Sequence, residues 1–174
     1  GRDLECLEDA GYSIVKCENH NQGWYMTDLD FEECSFQIIG NKKNPFEGIF
    51  YGNDHILRNI RIDHNRTDIG VFGYIVDAQI HALHLEDCDI SSEKAYSVGG
   101  IAGRSVNSRI EGCTVSGSIQ TKNSSTGGIV GRNYGLIDSC RVSGAVTGPF
   151  PIAGITGENH AQINGCTNDA VVSD

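Results

Sequence analysis

The chain has 174 residues, and its 13 lysines and arginines against 23 aspartates and glutamates give a formal net charge of −10. This charge disfavours binding to the phosphate backbone of nucleic acids. The longest apolar stretch, residues 69–76, is also far shorter than the roughly 20 residues of a membrane-spanning helix, so we expect a single domain that neither binds nucleic acid nor spans a membrane.

The N-terminal part of the chain shows no clear repeat. We interpret residues 1–30 as an opening coil or a cap, because the regular structure that follows needs a cover over its terminal strands. Residues 31–69 are predicted to form the first coils, interrupted by a loop at residues 41–45 (NKKNP). Loops that project from a regular repeat are common places for specificity.

Residues 70–174 contain four copies of one pattern. A glycine closes the first half of each copy, and these glycines are Gly73, Gly103, Gly131 and Gly157. Their nearly even spacing indicates a repeat architecture, in which each unit buries its apolar face against its neighbours. The copies are GVFGYIVDAQIHALHLEDCDI, GGIAGRSVNSRIEGCTVSGSI, GGIVGRNYGLIDSCRVSGAV and AGITGENHAQINGCTNDAVV.

The texture of each copy predicts β-structure. Short runs of isoleucine and valine alternate with glycine, asparagine and serine, and no copy carries the apolar spacing of a helix. Three short strands in about 26 residues fit one coil of a parallel β-helix better than a propeller blade. We therefore predict an all-β, three-stranded β-solenoid.

The four copies also predict ladders of equivalent side chains on the inner face. A small residue before each cysteine (Gly112, Ser139 and Gly165) is expected to allow a bend. In-register stacking would then place isoleucine on isoleucine and cysteine on cysteine. The isoleucine or leucine three residues before the cysteine is Leu85, Ile110, Ile137 or Ile163, and the cysteines themselves are Cys88, Cys113, Cys140 and Cys166.

The chain has seven cysteines, so they cannot all pair within it. We expect the four ladder cysteines to be buried, reduced thiols, because parallel stacking holds β-carbons at about 4.8 Å, too far for usual disulfide geometry. Cys6 and Cys17 form the one pair that we consider for a disulfide.

Two groups of residues were candidates for chemistry, and we assign a site to neither. Asp28 and Asp30 lie on one face of a predicted strand, roughly 6.5–7 Å apart, a spacing compatible with an inverting glycosidase, but a solvated face is the simpler interpretation. His81, His84 and Asp87 would alternate between faces of a strand, which disfavours a shared metal. We predict no catalytic, cofactor-binding or metal-binding residues.

The segment GGIVGRNYGLIDSC resembles the GLUG repeat of bacterial surface and secreted proteins, including regions that flank IgA-cleaving metallopeptidases. The upstream segments WYMTDLDF, FQIIG and PFEGIFYGNDHI resemble the sequence that precedes those repeats. The resemblance implies a right-handed parallel β-helix in an extracellular or cell-surface bacterial setting. It carries no catalytic residues to transfer.

These observations together predict a non-enzymatic extracellular repeat module, a spacer or an adhesion and recognition segment of a larger protein. Its partner would be an unknown host or surface protein or a glycan, and the parent chain is expected to continue at the C-terminal coil. No positively charged start followed by an apolar region opens the chain, so we expect any export signal to be absent from it.

The alternative is a carbohydrate-binding or carbohydrate-active β-helix protein. A row of exposed aromatic side chains at one repeat position would favour it. Tyr96, Tyr134 and Phe150 are instead predicted to lie irregularly in turns.

Overall fold

A computed structural model describes residues 28–32 and 36–174, together with the backbone of two short strands before them. The described residues form 22 β-strands and no helix, so none of them forms a helix long and apolar enough to cross a membrane. The strands are β1 (Val15–Lys16), β2 (Trp24–Tyr25), β3 (Leu29–Asp30), β4 (Ile49–Tyr51), β5 (Ile56–Arg58), β6 (Arg61–Asp63), β7 (Asp68–Ile69), β8 (Phe72–Val76), β9 (Gln79–His81), β10 (His84–Ser92), β11 (Ser97–Val98), β12 (Ala102–Glu111), β13 (Thr114–Thr121), β14 (Ser125–Gly127), β15 (Val130–Asp138), β16 (Arg141–Val142), β17 (Ala145–Thr147), β18 (Ile152–Ala153), β19 (Thr156–Asn159), β20 (Gln162–Asn164), β21 (Thr167–Asn168) and β22 (Val171–Ser173).

The strands form three sheets that the chain visits in turn, which confirms the predicted three-stranded β-solenoid. The first sheet contains β1, β2, β4, β8, β9, β12, β15, β19 and β20. The second contains β3, β5, β6, β10, β13, β16, β17, β21 and β22, and the third contains β7, β11, β14 and β18. The pair β1–β2 is antiparallel, and the other strand pairs are parallel. Each coil therefore lies directly on the one before it.

The coils do not keep one period along the chain. Leu57 pairs with Leu85, Leu85 with Val115 and Val115 with Val142, so the step between coils first lengthens and then shortens. The last step, from Val142 to Asn168, is the shortest, and the predicted period of about 26 residues is correct only there. Two register shifts contribute to this variation, one between Leu85 and Cys88 and another after Val106, where the next coil has one residue fewer.

One contiguous apolar core fills the space between the three sheets. The predicted isoleucine ladder is confirmed for Ile110 and Ile137, and Ile163 continues its register but is exposed on the last coil. The predicted place of Leu85 in it is wrong, because Ile80 pairs with Ile110 and Phe50 with Ile80. Two further ladders line the second sheet. The first consists of Leu57, Leu85, Val115 and Val142. The second consists of Ile62, Ile90, Ile119 and Val146. Each fully buried Leu, Ile or Val contributes about 1.5–3 kcal/mol to the stability of the fold. Because these side chains are buried only when the coils stack, the stacking of coils stabilises the fold more than any single strand does.

The predicted position of Cys88 is wrong. His84 pairs with Thr114 and Leu85 with Val115, so Leu83 occupies the position that Cys113 has in the next coil. Cys88 pairs with Gly117 beyond the register shift, and it is buried there outside the cysteine ladder. The ladder therefore has three members, Cys113, Cys140 and Cys166. Cys88 and the three ladder cysteines are free thiols, as predicted, but the prediction that all four are buried is wrong for Cys166, which is partly exposed.

The predicted bend before each ladder position is confirmed. Ala82, Gly112, Ser139 and Gly165 have φ values of 47°, 64°, 52° and 57°, in the left-handed region. This conformation turns the chain from the first sheet to the second. Because alanine and serine occupy two of the four positions, the corner tolerates a side chain.

The glycines that close the first half of each repeat serve a different purpose, which is the close approach of two backbones. A β-carbon on Gly131 would lie 2.5 Å from the Val98 nitrogen and 2.8 Å from the Gly103 carbonyl oxygen. A β-carbon on Gly157 would meet the Thr126 nitrogen at the same 2.5 Å. The repeat therefore needs glycine here because the third sheet lies against the first.

Polar side chains also enter the core, which the sequence did not predict. Ser105 and Asn133 take the inward position that Ile75 holds in the preceding coil, and all three are fully buried. The Asn133 amide donates to the Asn159 side chain at 2.8 Å and to the Gly135 carbonyl at 3.0 Å. The Asn133 side chain is thereby satisfied inside the core.

The interpretation of residues 1–30 as an opening coil or cap lies largely outside the described residues. The same is true of the proposed Cys6–Cys17 pair.

We predict that Gly131→Ala destabilises the fold by about 1–3 kcal/mol, the usual cost of forcing atoms into a filled space. Gly112→Asn is the matched control, because its β-carbon would have no neighbour within 4 Å and asparagine tolerates the left-handed conformation. Urea unfolding of both variants measures the difference. Equal losses in the two variants would contradict the close-approach role.

We also predict an order of thiol reactivity, because the thiolate is the reactive form. Burial raises the pKa of Cys88 to about 12, and the neighbouring Cys113 thiol together with burial raises the pKa of Cys140. Cys166 is only partly buried, and burial raises its pKa as well. Native alkylation at pH 8, followed by peptide mass spectrometry, should modify Cys166 before Cys88, Cys113 and Cys140. Modification of Cys140 at the rate of Cys166 would refute this order.

Candidate recognition surface

Asp28 and Asp30 lie on the outer face of the second sheet, as predicted, with Leu29 buried between them. Asp28 accepts a hydrogen bond from the Ile56 backbone N–H at 2.9 Å, and its carboxylate lies 3.0 Å from Nδ1 of His55. Asp30 accepts hydrogen bonds from the Asn59 side chain at 2.9 Å and from the Glu32 N–H at 3.0 Å. Each carboxylate thus joins neighbouring segments of the solenoid.

These contacts also set the charge state of the two groups. The hydrogen bond from Ile56 lowers the pKa of Asp28, and the hydrogen bond from Asn59 lowers the pKa of Asp30. A general acid needs the opposite shift, since it must hold its proton near neutral pH. These contacts therefore favour the ionised form of both carboxylates.

His81 and His84 lie in different sheets, so the prediction that they alternate along one strand is wrong. The corner at Ala82 turns the chain between them. His84 bridges two coils, with Nε2 at 3.0 Å from the Asp54 carboxylate and Nδ1 at 2.8 Å from the Thr114 hydroxyl. Among the described residues, no group of three or more histidines, cysteines and carboxylates is arranged to hold a metal ion.

A groove with a volume of about 810 Å³ lies on the outer face of the first sheet. Three successive coils supply its lining, because β9, β12 and β15 lie side by side. The residues that form its floor and rim include Gln79, His81, Asn107, Arg109, Glu111 and Leu136. We call this surface the first-sheet groove.

Charged side chains in the first-sheet groove form a network of hydrogen bonds and ion pairs. Arg109 donates to both carboxylate oxygens of Glu111, at 2.9 and 3.0 Å, and to Asp138 at 3.3 Å. Nδ1 of His81 lies 3.4 Å from Glu111. The hydrogen bond from Arg109 lowers the pKa of Glu111. The groove is therefore a preorganised polar surface with a carboxylate that stays ionised.

Aromatic rings flank this network on the same sheet. Tyr51 stacks on His81 with ring centroids 5.4 Å apart. Tyr134 stacks on His160 at 4.6 Å, and the Arg104 guanidinium lies 5.8 Å from the Tyr134 ring. Rings and polar groups are thus combined on one rigid face, a composition that suits ligands with both apolar and hydroxyl surfaces.

The structure corrects one of the three predicted turn aromatics. Tyr96 and Phe150 lie outside the strands, as predicted, but Tyr134 lies within β15 and is 40% exposed. Register explains the difference, because Tyr134 pairs with Val106 of β12. The pairing of Arg104 with Tyr74, and the approach of Tyr134 to Arg104, could not be read from the sequence without that register.

Comparison with known proteins identifies one family motif. The GLUG motif matches residues 94–120 and residues 122–147. No curated protein and no solved structure matches the chain. The two matched segments contain the second and third of the four sequence copies, and both form coils of the β-solenoid described above. Residues 94–147 therefore contain two GLUG repeats.

Proposed function

We propose that the chain is a non-enzymatic spacer and recognition module of a larger bacterial surface or secreted protein. The observation that carries the recognition role is the first-sheet groove, a polar depression of about 810 Å³ on a continuous parallel sheet, flanked by aromatic rings. The GLUG repeats support a repeat module. The extracellular setting rests on the resemblance of those repeats to surface and secreted proteins.

A spacer must keep its length and direction, and the interior of the solenoid suits that demand. Each coil is joined to the next by parallel backbone hydrogen bonds and by one apolar core. Repeat structures of this kind are stabilised by nearest-neighbour interfaces, so added coils extend the rod without a new core. The outer side chains are held at intervals of about 4.8 Å along the rod.

The absence of catalysis is part of the proposal, and the state of the carboxylates supports it. The hydrogen bond from the Ile56 N–H lowers the pKa of Asp28, and the one from the Asn59 side chain lowers the pKa of Asp30. In the groove, the hydrogen bond from Arg109 lowers the pKa of Glu111. None of these groups is prepared to donate a proton at neutral pH. Naming a reaction would require a nucleophile or an acid–base pair with a positioning shell.

Carbohydrate binding is the second candidate, and the aromatic flanks of the first-sheet groove favour it. Tyr51 and His81 at one end, and Tyr74, Arg104 and Tyr134 beside the groove, place rings next to hydrogen-bonding side chains. Sugars are bound by such combinations, since their faces are apolar and their edges carry hydroxyls. A glycan is therefore one of the two ligand classes to test, with host proteins as the other.

The last coil has strand edges that no further coil of the described residues covers. Within the described residues, β19 to β22 pair only with the preceding coil, and Val171 and Val172 are exposed beside that open edge. The expectation that the parent chain continues on this coil stays a prediction.

The recognition role predicts that Arg109→Ala weakens binding at least roughly tenfold, because it removes the side chain that orders Glu111 and Asp138. Arg141→Ala is the matched control, since Arg141 makes a similar exposed pair with Asp169 on the second sheet. A glycan and host-matrix array identifies the ligand, and titration calorimetry measures both variants. Equal affinities for the two variants would exclude the groove.

The non-enzymatic role predicts no hydrolase or lyase turnover of polysaccharides by the isolated chain. Reducing-end and unsaturated-product assays on a polysaccharide panel measure it. The outcome that would overturn the proposal is turnover that disappears in both Asp28→Asn and Asp30→Asn but persists in Asp63→Asn, an exposed aspartate of the same sheet.

A further inference from the structure

The loop at residues 41–44 is an insertion that the later coils lack. Ile39 forms a bridge with Phe72 and Phe46 forms one with Ile75, so the chain between the two bridges is longer in this coil than in the next. The Asn41 side chain accepts hydrogen bonds from the N–H groups of Lys43 and Asn44, at 2.9 and 3.0 Å. The inserted loop is therefore ordered by its own first residue.

A pocket of about 410 Å³ lies between this loop and the turn that leads into β7. All of its lining residues have polar or charged side chains, and three of these side chains are cationic. The residues are Asn41, Lys42, Lys43, Asn65, Arg66, Thr67 and Asp68. Arg66 is placed by a long hydrogen bond of 3.4 Å from its Nη1 to the Ile38 carbonyl. We call this the cationic pocket.

The cations of this pocket differ from most others in the chain. Six of the eleven lysines and arginines in the described residues lie within ion-pair distance of a carboxylate: Arg58, Arg104, Arg109, Lys122, Arg132 and Arg141. Of the five that make no ion pair within that part of the chain, three line the cationic pocket, and the other two are Arg61 and Lys94. Unpaired positive charge is thus concentrated at one place on a chain of net charge −10.

The single carboxylate of the pocket does not neutralise it. Asp68 is buried and accepts a hydrogen bond from the Ser97 hydroxyl at 2.6 Å. The same oxygen lies 3.8 Å from Nε of Arg104, so its negative charge already faces a different arginine. Lys42, Lys43 and Arg66 therefore remain available to an anion from outside.

We propose that the cationic pocket binds a sulfated or carboxylated sugar unit of a glycan. The guanidinium of Arg66 matches the fork geometry of an oxyanion, and the two lysines add point charges. Asn41, Asn65 and Thr67 supply donors and acceptors for hydroxyls, whereas the pocket has no apolar side chain to anchor a peptide. The cationic pocket shares no lining residue with the first-sheet groove, so this inference adds a second site to the recognition role proposed above.

The architecture also determines how many such sites the chain has. The Tyr96 N–H donates to the Thr67 carbonyl, so the next coil places Tyr96 beside Thr67, and it lacks the inserted loop. The cationic pocket therefore occurs once among the described coils, and we expect one anionic sugar bound per chain. The net charge of −10 further disfavours long, densely charged polymers relative to short oligosaccharides.

Titration calorimetry of the full chain tests the proposal with three tetrasaccharides: one from heparin, one from hyaluronan and neutral maltotetraose. Binding of either acidic sugar at one per chain, without binding of maltotetraose, is expected, and the preferred sugar identifies sulfate or carboxylate as the anion. The variant Lys42→Gln/Lys43→Gln and the variant Arg66→Gln should each weaken binding at least roughly tenfold.

The matched control is Arg61→Gln/Lys94→Gln, which removes the two unpaired cations outside the pocket and changes the net charge as much as the double lysine variant does. It should alter affinity less than about twofold, since screened long-range attraction is weak. Equal weakening by pocket and control variants would overturn the proposal, as would tighter binding of an acidic peptide. Binding of only neutral glycans or proteins would overturn it and leave the recognition role standing, whereas no binding to any array ligand would contradict both.

Discussion

The close approach of two backbones at a glycine inside each long strand of the first sheet is the constraint on which the rest of the solenoid depends. At Gly103, Gly131 and Gly157 the first sheet passes so near the third that a β-carbon would overlap main-chain atoms. This contact lets each coil close with three short strands. With these contacts in place, equivalent residues stack in register, and their apolar side chains form ladders in the interior.

The register of strand pairing determines which side chains contact each other on the outer surface. Because β9, β12 and β15 are held side by side, Arg109 reaches both Glu111 in its own strand and Asp138 in the next coil. In the regular coils, most charged side chains on the surface therefore form ion pairs. These pairs link neighbouring strands and keep the side chains of the first-sheet groove in place. The irregular coil behaves differently, since its inserted loop brings Lys42 and Lys43 to Arg66 with no matching carboxylate. Regular coils suit a spacer, and the departure from regularity suits recognition.

The polar residues of the core show how the repeat accommodates variation. Asn133 takes a position that an isoleucine holds in an earlier coil, and it remains satisfied through Asn159 and the Gly135 carbonyl. Cys113, Cys140 and Cys166 stack as thiols behind the second-sheet corner. Such substitutions are tolerated because each coil contacts only its two neighbours, so a change in one position needs compensation only in the adjacent coils.

The sequence by itself determined the repeat, the strand content, the isoleucine ladder and the bend at Gly112, Ser139 and Gly165, because these depend on local alternation and on the backbone freedom of small residues. Only the tertiary structure placed Leu83, and not Cys88, in line with Cys113. In the sequence, Leu85 precedes Cys88 by the same interval that separates Ile110 from Cys113, so spacing alone could not reveal the bulge. The cationic pocket could not be predicted from the sequence either. Its two segments, residues 41–43 and 65–68, are separated by more than 20 residues and come together only in the folded coil. Local chemistry decides which residues face inward, whereas pairing between coils decides which side chains meet.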